Sequence, residues 1–190
     1  MALDEAWPGL TGVRPKSRVA QWFTGAEPDW DAVYADQLPR VFNYFRYRFG
    51  DAADAEDLTG RTFEKAWQSR HRYRRDVAAF STWLMRIARN VAIDHSRSRR
   101  LHVSLDDAAH VAAGPTPEDQ AARRSDAARL SRLLKGLPER DRELLALKYG
   151  AGLTNRAIAQ ATGLTESNVG TLLHRATQVL RDQWGAGDRP

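Results

Sequence analysis

Between Arg70 and Arg100 the chain holds nine arginines against two aspartates, Asp76 and Asp94, a local balance of 9 − 2 = +7. The whole chain of 190 residues carries only +5, so the excess is concentrated here. Guanidinium groups at that density bind phosphates, and the run Arg70-His71-Arg72-Tyr73-Arg74-Arg75 sets an aromatic ring among them. This is the electrostatic footprint of a nucleic-acid partner. A second group that could do chemistry is Asp54, Glu56 and Asp57. Three carboxylates could hold a divalent cation in a nuclease, but they have no evident further ligands. Their place at the start of a helix offers a simpler role, offsetting the positive end of the macrodipole. There is no cysteine, which excludes disulfides, thiol catalysis and cysteine-based zinc sites. The five histidines, at 71, 95, 102, 110 and 174, lack ligand spacing. We therefore expect a binding protein and not an enzyme, with no cofactor and no metal.

The elements that position these groups are helical. From Asp31, apolar residues recur at three and four (Val33, Tyr34, Leu38, Val41, Phe42, Phe45, Phe49) until Gly50 stops the helix. Asp51 to Asp54 reads as a turn. A second helix, Ala55 to about Gln68, buries Ala55, Leu58, Thr62, Phe63, Ala66 and Trp67 and turns Asp54, Asp57, Arg61, Glu64 and Lys65 outward. Ser69 to Arg75 is a loop, and Asp76 is placed to cap the next helix. That helix, Phe80 to Arg100, carries an apolar stripe of Phe80, Trp83, Leu84, Ile87, Ala88 and Val91 with Trp83 at its centre. Arg86, Arg89, Asn90 and Asp94 fall on other faces.

Before this unit, residues 1–28 are rich in Pro and Gly and read as a loosely ordered extension. Trp7, Trp22 and Phe23 either pack casually on the domain or form a docking segment. After it, residues 101–124 form an acidic linker, with Asp106, Asp107, Glu118 and Asp119 and no Lys or Arg before Arg123. A second helical unit spans 125–184, followed by a tail, 185–190. Leu130, Leu133, Leu134 and Leu137 form a stripe, and Pro138 opens a helix that ends at Gly150. Thr154 caps a short helix with Ile158 and Ala159 inward, Gly163 makes the turn, and Thr165 caps a last helix with Val169, Leu172 or Leu173, Ala176, Val179 and Leu180 inward. Capped helix, glycine turn and second capped helix read as a helix-turn-helix. The fold class is all-α: two small helical domains joined by a flexible acidic linker. No apolar run approaches the roughly 20 residues of a membrane span, and no secretory signal is evident, so a cytoplasmic protein is expected.

Residues 30–183 together resemble a bacterial RNA polymerase sigma factor of the extracytoplasmic-function type. In the first unit the resemblance rests on Asp54-Ala55-Glu56-Asp57-Leu58, Thr62-Phe63, Ala66-Trp67, Trp83-Leu84, Arg86 to Asn90, Ala92-Ile93-Asp94 and the closing arginines. In the second it rests on Leu137-Pro138, Arg142, Leu145, Gly152-Leu153, Ile158-Ala159, Gly163, Val169 and Leu173 to Ala176. It implies a protein that binds core RNA polymerase and directs it to promoter DNA, monomeric when free of partners and held inactive by an anti-sigma factor. The first unit would read and melt the minus-ten element through Tyr73, Arg74, Arg75, Asp76, Arg86, Asn90, Arg97 and Arg100. Opening a strand calls for cations on phosphates, flat groups on bases and polar groups on a flipped base edge, which these residues supply. The helix from Asp54 to Gln68 would dock on the polymerase clamp through Asp54, Asp57 and Arg61. The last helix would enter the major groove of the minus-thirty-five element through Ser167, Asn168, Thr171, His174 and Arg175, with Arg156 beside it.

The chain departs from the family pattern at three places. Gly60 and Arg61 stand where the clamp helix usually carries Gln and an acidic residue. Gly170, Leu172 and Thr177 stand where lysine and arginine are usual, leaving residues 165–184 with no net charge. Ala157 replaces an acidic residue, so no reciprocal capping box forms at Thr154. A helix-turn-helix regulator that binds an operator as a dimer, without polymerase, is the alternative reading of the same residues.

Overall fold

The computed structural model describes residues 29–74, 76–106 and 126–186, with the side chains of 100–106 and 127 left aside. The extension 1–28, Arg75, most of the acidic linker and the last four residues lie outside that description. Among the described residues seven α-helices follow one another: α1 (Trp30–Phe49), α2 (Ala52–Gln68), α3 (Phe80–Asp106), α4 (Asp126–Gly136), α5 (Glu139–Leu145), α6 (Asn155–Thr162) and α7 (Glu166–Ala186). A 3-10 turn, Arg70–Arg72, follows α2, and a π-helical segment, Ala146–Gly150, continues α5. Among the described residues there is no strand, and no helix is long and apolar enough to cross a membrane.

The local signals for α1 and α2 meet at one dipeptide. Gly50 ends α1 in the left-handed region at φ 78°, donating its N–H to the Arg46 carbonyl at 2.9 Å. Asp51 immediately caps α2, accepting from the Asp54 N–H at 3.0 Å. The helix therefore starts at Ala52, and the turn expected over 51–54 is already its first turn, because the cap is Asp51 and not Asp54. The cap expected at Asp76 is absent: its carboxylate is held by Arg74, and α3 starts four residues beyond, at Phe80, with the Trp83 N–H bonded to the Ala79 carbonyl. α3 also runs six residues past the expected boundary at Arg100, into the acidic segment, and at 27 residues it is about 40 Å long.

The apolar faces differ in detail from the sequence pattern. Phe80, Leu84, Met85, Ala88, Val91 and Ala92 are the buried apolar residues of α3, with Thr82 buried beside them, whereas Trp83 and Ile87 flank the core. The stripe is thus centred on Leu84 and Ala88, and Trp83 is a rim residue, not its centre. Trp67 is half exposed, at 50%, because it stands at the edge of α2 over Trp30. In α7, Leu173 and not Leu172 is buried, Thr177 joins it, and Val179 faces out. Ala161, rather than Ala159, is the buried alanine of α6.

The two units are not separate bodies. Their buried side chains form one contiguous core, in which α1 packs on the π segment, α4 and α5, and α3 packs on α6. A glycine permits the closest approach. A Cβ on Gly150 would lie 2.8 Å from the Asn43 carbonyl oxygen and 3.0 Å from the Tyr44 Cα, distances that backbone atoms cannot yield. At the same seam lies a partly buried charged network, with Arg48 and Glu143 buried and Glu139 and Arg89 at its more exposed edge. Arg48, 3% exposed in its side chain, binds Glu139 at 3.0 Å and reaches Glu143 at 4.0 Å, while Arg89 of α3 binds Glu143 at 2.9 Å. Beside it the fully buried Tyr44 hydroxyl has no hydrogen-bond partner among the described residues, and burial pushes its ionisation well above the usual phenol range.

Two measurements check this account. Asp51 is exposed and its carboxyl is held below the usual carboxylate range, chiefly by the Asp54 N–H. Its stabilisation is present above the unfolded-state pKa and is lost as pH falls through the lower folded value. Asp51→Ala should cost about 1 kcal/mol at neutral pH. The difference should close below pH ~3.9 in denaturant titrations, where the unfolded carboxyl protonates. Gly60 is exposed on α2, and a Cβ there would meet nothing within 4 Å. Gly60→Ala should therefore stabilise the fold by about 1 kcal/mol, read as a raised denaturant midpoint with unchanged slope.

Candidate functional site

The loop after α2 is held by an aromatic cluster. Tyr73 is half buried: its ring meets Phe80 edge-on at 5.2 Å and Trp83 at 5.3 Å, and its hydroxyl donates to the Ala78 carbonyl at 3.3 Å. Trp30 extends the cluster, edge-on to Phe80 at 5.9 Å and to Trp67 at 5.2 Å. Tyr73 therefore anchors the loop, and only part of its ring is open to a base. Trp67 presents the exposed end of the same cluster, with the Arg70 guanidinium 4.2 Å from its ring.

The arginines sort into engaged and free. Arg74 pairs with Asp76 at 2.7 Å, both fully at the surface, and their mutual hydrogen bond raises the Arg74 pKa and lowers that of Asp76. Arg89 belongs to the charged network at the seam, bound to Glu143, and Arg99 binds Asp54 at 3.4 Å. Arg72, Arg86 and Arg97 are exposed and enter no ion pair among the described residues. Arg86, Asn90 and Arg97 recur at four and seven, so one exposed face of α3 carries all three. Arg100 lies on the same helix, its side chain outside the described residues, as is Arg75 entirely.

Asp54, expected to be free for a partner, does not stand free on α2. It is partly covered by Arg99 and by His95, whose Nε2 lies 3.8 Å away, and His95 packs edge-on to Phe49. Asp57 is exposed and closes an i,i+4 pair with Arg61 at 3.0 Å, so the cation at Arg61 is neutralised within its own helix. Lys65 reaches Asp94 at 3.5 Å. Among the described residues no three His, Asp or Glu side chains converge as a metal site would require.

The helix-turn-helix is built as its caps dictate. Thr154 accepts from the Ala157 N–H at 3.2 Å, Gly163 ends α6 at φ 77°, and Thr165 accepts from the Asn168 N–H at 3.2 Å. Ser167, Asn168, Thr171, His174 and Arg175 share one exposed stripe of α7, and Arg156 is exposed on α6. The Thr171 hydroxyl donates back to the Ser167 carbonyl at 3.1 Å, leaving its oxygen as an acceptor. Sequence reasoning missed the Arg48–Glu139–Glu143–Arg89 network, whose centre at Arg48 and Glu143 is buried. No local pattern signals it, since Arg48 and Glu139 are 91 residues apart.

An all-α chain with a cationic, aromatic first unit and a helix-turn-helix second unit has the two-part build of a promoter-recognition factor. Residues 33–102 match the family described as Sigma-70 region 2, and residues 127–180 match Sigma-70, region 4. The chain is 30% identical over 151 residues to the ECF RNA polymerase sigma factor BldN of Streptomyces coelicolor, covering 78% of this chain and 57% of that one. It is 30% identical over 152 residues to the ECF RNA polymerase sigma factor SigL of Mycobacterium tuberculosis, covering 79% and 85%. It thus spans little more than half of the Streptomyces relative. A similar solved structure is the sigma factor RpoE in complex with the anti-sigma factor NepR from Bartonella quintana, with TM-score 0.69, 22% identity, and coverage of 85% of this chain and 99% of that one. The chain belongs to the extracytoplasmic-function sigma factors.

The packing of Tyr73 generates a test. Tyr73→Phe should retain the fold, since the rings remain in contact. Tyr73→Ala should cost about 2 kcal/mol, less than the 3–5 kcal/mol of a fully buried aromatic. Thermal unfolding of the two variants checks it: equal losses would show that the hydroxyl, and not ring packing, holds the loop.

Proposed function

We propose that this protein is an alternative sigma factor that binds core RNA polymerase, directs it to a specific class of promoter, and is held inactive by an anti-sigma factor until a signal releases it. It works in the cytoplasm as an initiation factor and performs no catalysis itself. The observation that carries the reading is the pairing, within one chain, of an exposed cationic face on α3 with an exposed polar stripe on a capped helix-turn-helix. The order of the two matched regions along the chain supports it.

In this reading α3 and its preceding loop handle the minus-ten element. Arg86, Arg97 and Arg100 hold phosphates, and Asn90, between them on the same face, reads a base edge. Arg74 and Asp76 exchange their mutual pair for DNA: the phosphate takes the guanidinium, and Asp76 is freed to accept from a base amine. Arg75 adds a further cation to that loop, and the open part of the Tyr73 ring offers a stacking surface. The α7 stripe, with almost no net charge, reads the minus-thirty-five element by shape and by contacts from Ser167, Asn168, Thr171, His174 and Arg175, with Arg156 on a flanking phosphate. Asp57, with Arg61 beside it, and the partly covered Asp54 form the clamp surface.

Transcription with core polymerase on a genomic template library, with start sites mapped, tests the function directly; no start sites above the core background would overturn it. The division of labour has its own readout. Arg86→Ala and Arg97→Ala should each lower the salt slope of holoenzyme binding by about 1. Asn168→Ala should reduce discrimination at the minus-thirty-five element by about 1–3 kcal/mol while leaving that slope unchanged. A large slope change in the Asn168 variant, with none in the arginine variants, would reverse the assignment.

A further inference from the structure

The last helix has no net charge, and at Gly170 it has no side chain either. We propose that Asn155, aimed by Lys148 and left uncovered by Gly170, is a specificity-determining contact to the minus-thirty-five DNA. It would supply hydrogen-bond donors at the point where the recognition helix itself offers none. The proposal rests on the sigma-factor reading and adds to it a residue from outside α7.

The geometry places an amide in a gap. Gly170 comes three residues after Ser167 and four before His174, so it shares their face of α7. Ser167, Thr171 and His174 are exposed around it. The polar stripe is therefore interrupted at its middle, and α6 fills the interruption from the side. A Cβ on Gly170 would lie 3.7 Å from the Asn155 Nδ2, an ordinary van der Waals contact. The carboxamide of Asn155, the first residue of α6, thus sits against the α7 backbone beside the stripe. An alanine would fit at that distance, and a glycine inside a helix is destabilising relative to alanine. Packing of α6 on α7 does not demand the glycine. A longer side chain at 170 would instead cover the amide.

The amide is also oriented. The Lys148 Nζ donates to the Asn155 Oδ1 at 3.0 Å, and an ammonium group has no lone pair to offer the nitrogen end. The oxygen is therefore turned to Lys148 and the NH2 to Gly170. That NH2 has no partner among the described residues, yet it remains accessible to water. Two donors are thus fixed and unused on the surface given to DNA. An asparagine with both ends free reads adenine by accepting and donating together. Here the oxygen is engaged, so the group acts as a donor. Its complements are acceptors of the DNA, either the O6 and N7 edge of guanine or a phosphate oxygen. Lys148 is a positioning residue: it sets which end of the amide faces out, and it brings a cation beside a helix that has no net charge.

Holoenzyme assembled from core polymerase and the full-length chain tests the inference. The probes are promoter duplexes taken from the start sites mapped with the wild type, with each base pair of the minus-thirty-five element substituted in turn. Asn155→Asp keeps the shape of the side chain and its bond to Lys148 but exchanges the donors for acceptors. It should unfold thermally as the wild type does and lose about tenfold in promoter affinity. Asn155→Ala should lose a similar factor. If the acceptor is a guanine edge, that loss is confined to one or two base pairs, and 7-deazaguanine there reproduces it in the wild type. If the acceptor is a phosphate, the loss is even across sequences, and a neutral methylphosphonate at the flanking phosphate reproduces it. Lys148→Met should give a smaller loss on the same probes. Gly170→Leu should match Asn155→Ala, and in an Asn155→Ala background it should cost nothing further. Wild-type affinity and base preference in both Asn155 variants would overturn the proposal. A further loss from Gly170→Leu in the Asn155→Ala background would overturn the uncovering by Gly170. Failure of the wild type itself to initiate would instead overturn the sigma reading.

Discussion

A guanidinium removed from water must find its counter-charges in the fold, and the burial of Arg48 imposes that condition on half the molecule. Its side chain is 3% exposed, and its partners come from the other unit, 91 and 95 positions along the chain. Satisfying it fixes where α5 lies against the end of α1. Glu143, bound there, then recruits Arg89 and fixes α3 against the same helix. Tyr44 and the Asn43 carbonyl, one turn before Arg48, receive the backbone of the π segment at Gly150. Removing one member would leave a buried charge uncompensated, which costs far more than the intact network contributes. The network thus decides how the two units sit, more than how stable each one is.

The same accounting of charge explains the outer surfaces. Nine arginines between Arg70 and Arg100 suggest uniform electrostatic attraction, but the structure uses them unequally. Arg89 is structural, Arg99 ties α3 to the start of α2 through Asp54, Arg70 lies over Trp67, and Arg74 is paired with Asp76. Arg72, Arg86 and Arg97 keep their charge unshared among the described residues. Phosphate affinity scales with the number of cations that can release counterions. The effective footprint is therefore smaller than the composition suggests, and more sharply placed on one face of α3. On α2 the Asp57–Arg61 pair has a similar consequence: the Arg61 cation is offset one turn away within its own helix.

Much of this protein was legible from its residues in order. Helix number, the stops at Gly50 and Gly163, the caps at Thr154 and Thr165, and the exposed stripe of α7 follow from local rules that act over three or four residues. The family motifs and the basic segment were equally local. The errors were local too, where two short-range signals competed. Asp51 and Asp54 both could cap α2, and Asp51 does; Asp76 could cap α3, but Arg74, two residues before it, takes its carboxylate. Trp83 reads as the centre of a stripe because it is large, while Met85 and Ala92, on the buried side of the helix, are the residues that neighbours cover.

The sequence alone determined the elements and their chemistry, because propensity, capping and amphipathic period are properties of neighbours along the chain. It also determined that Gly150 would have no side chain, but not why that mattered. Only the tertiary structure decided that the two units share a core, that Arg48 is a buried linker and Arg89 its partly exposed counterpart rather than free surface cations, and that Asp54 is partly covered by Arg99 and His95. Those outcomes depend on which surfaces meet across separations such as the 91 residues from Arg48 to Glu139. An arginine carries the same charge and the same helical propensity whether it will face water or a partner's carboxylate, so nothing in its local pattern marks the difference.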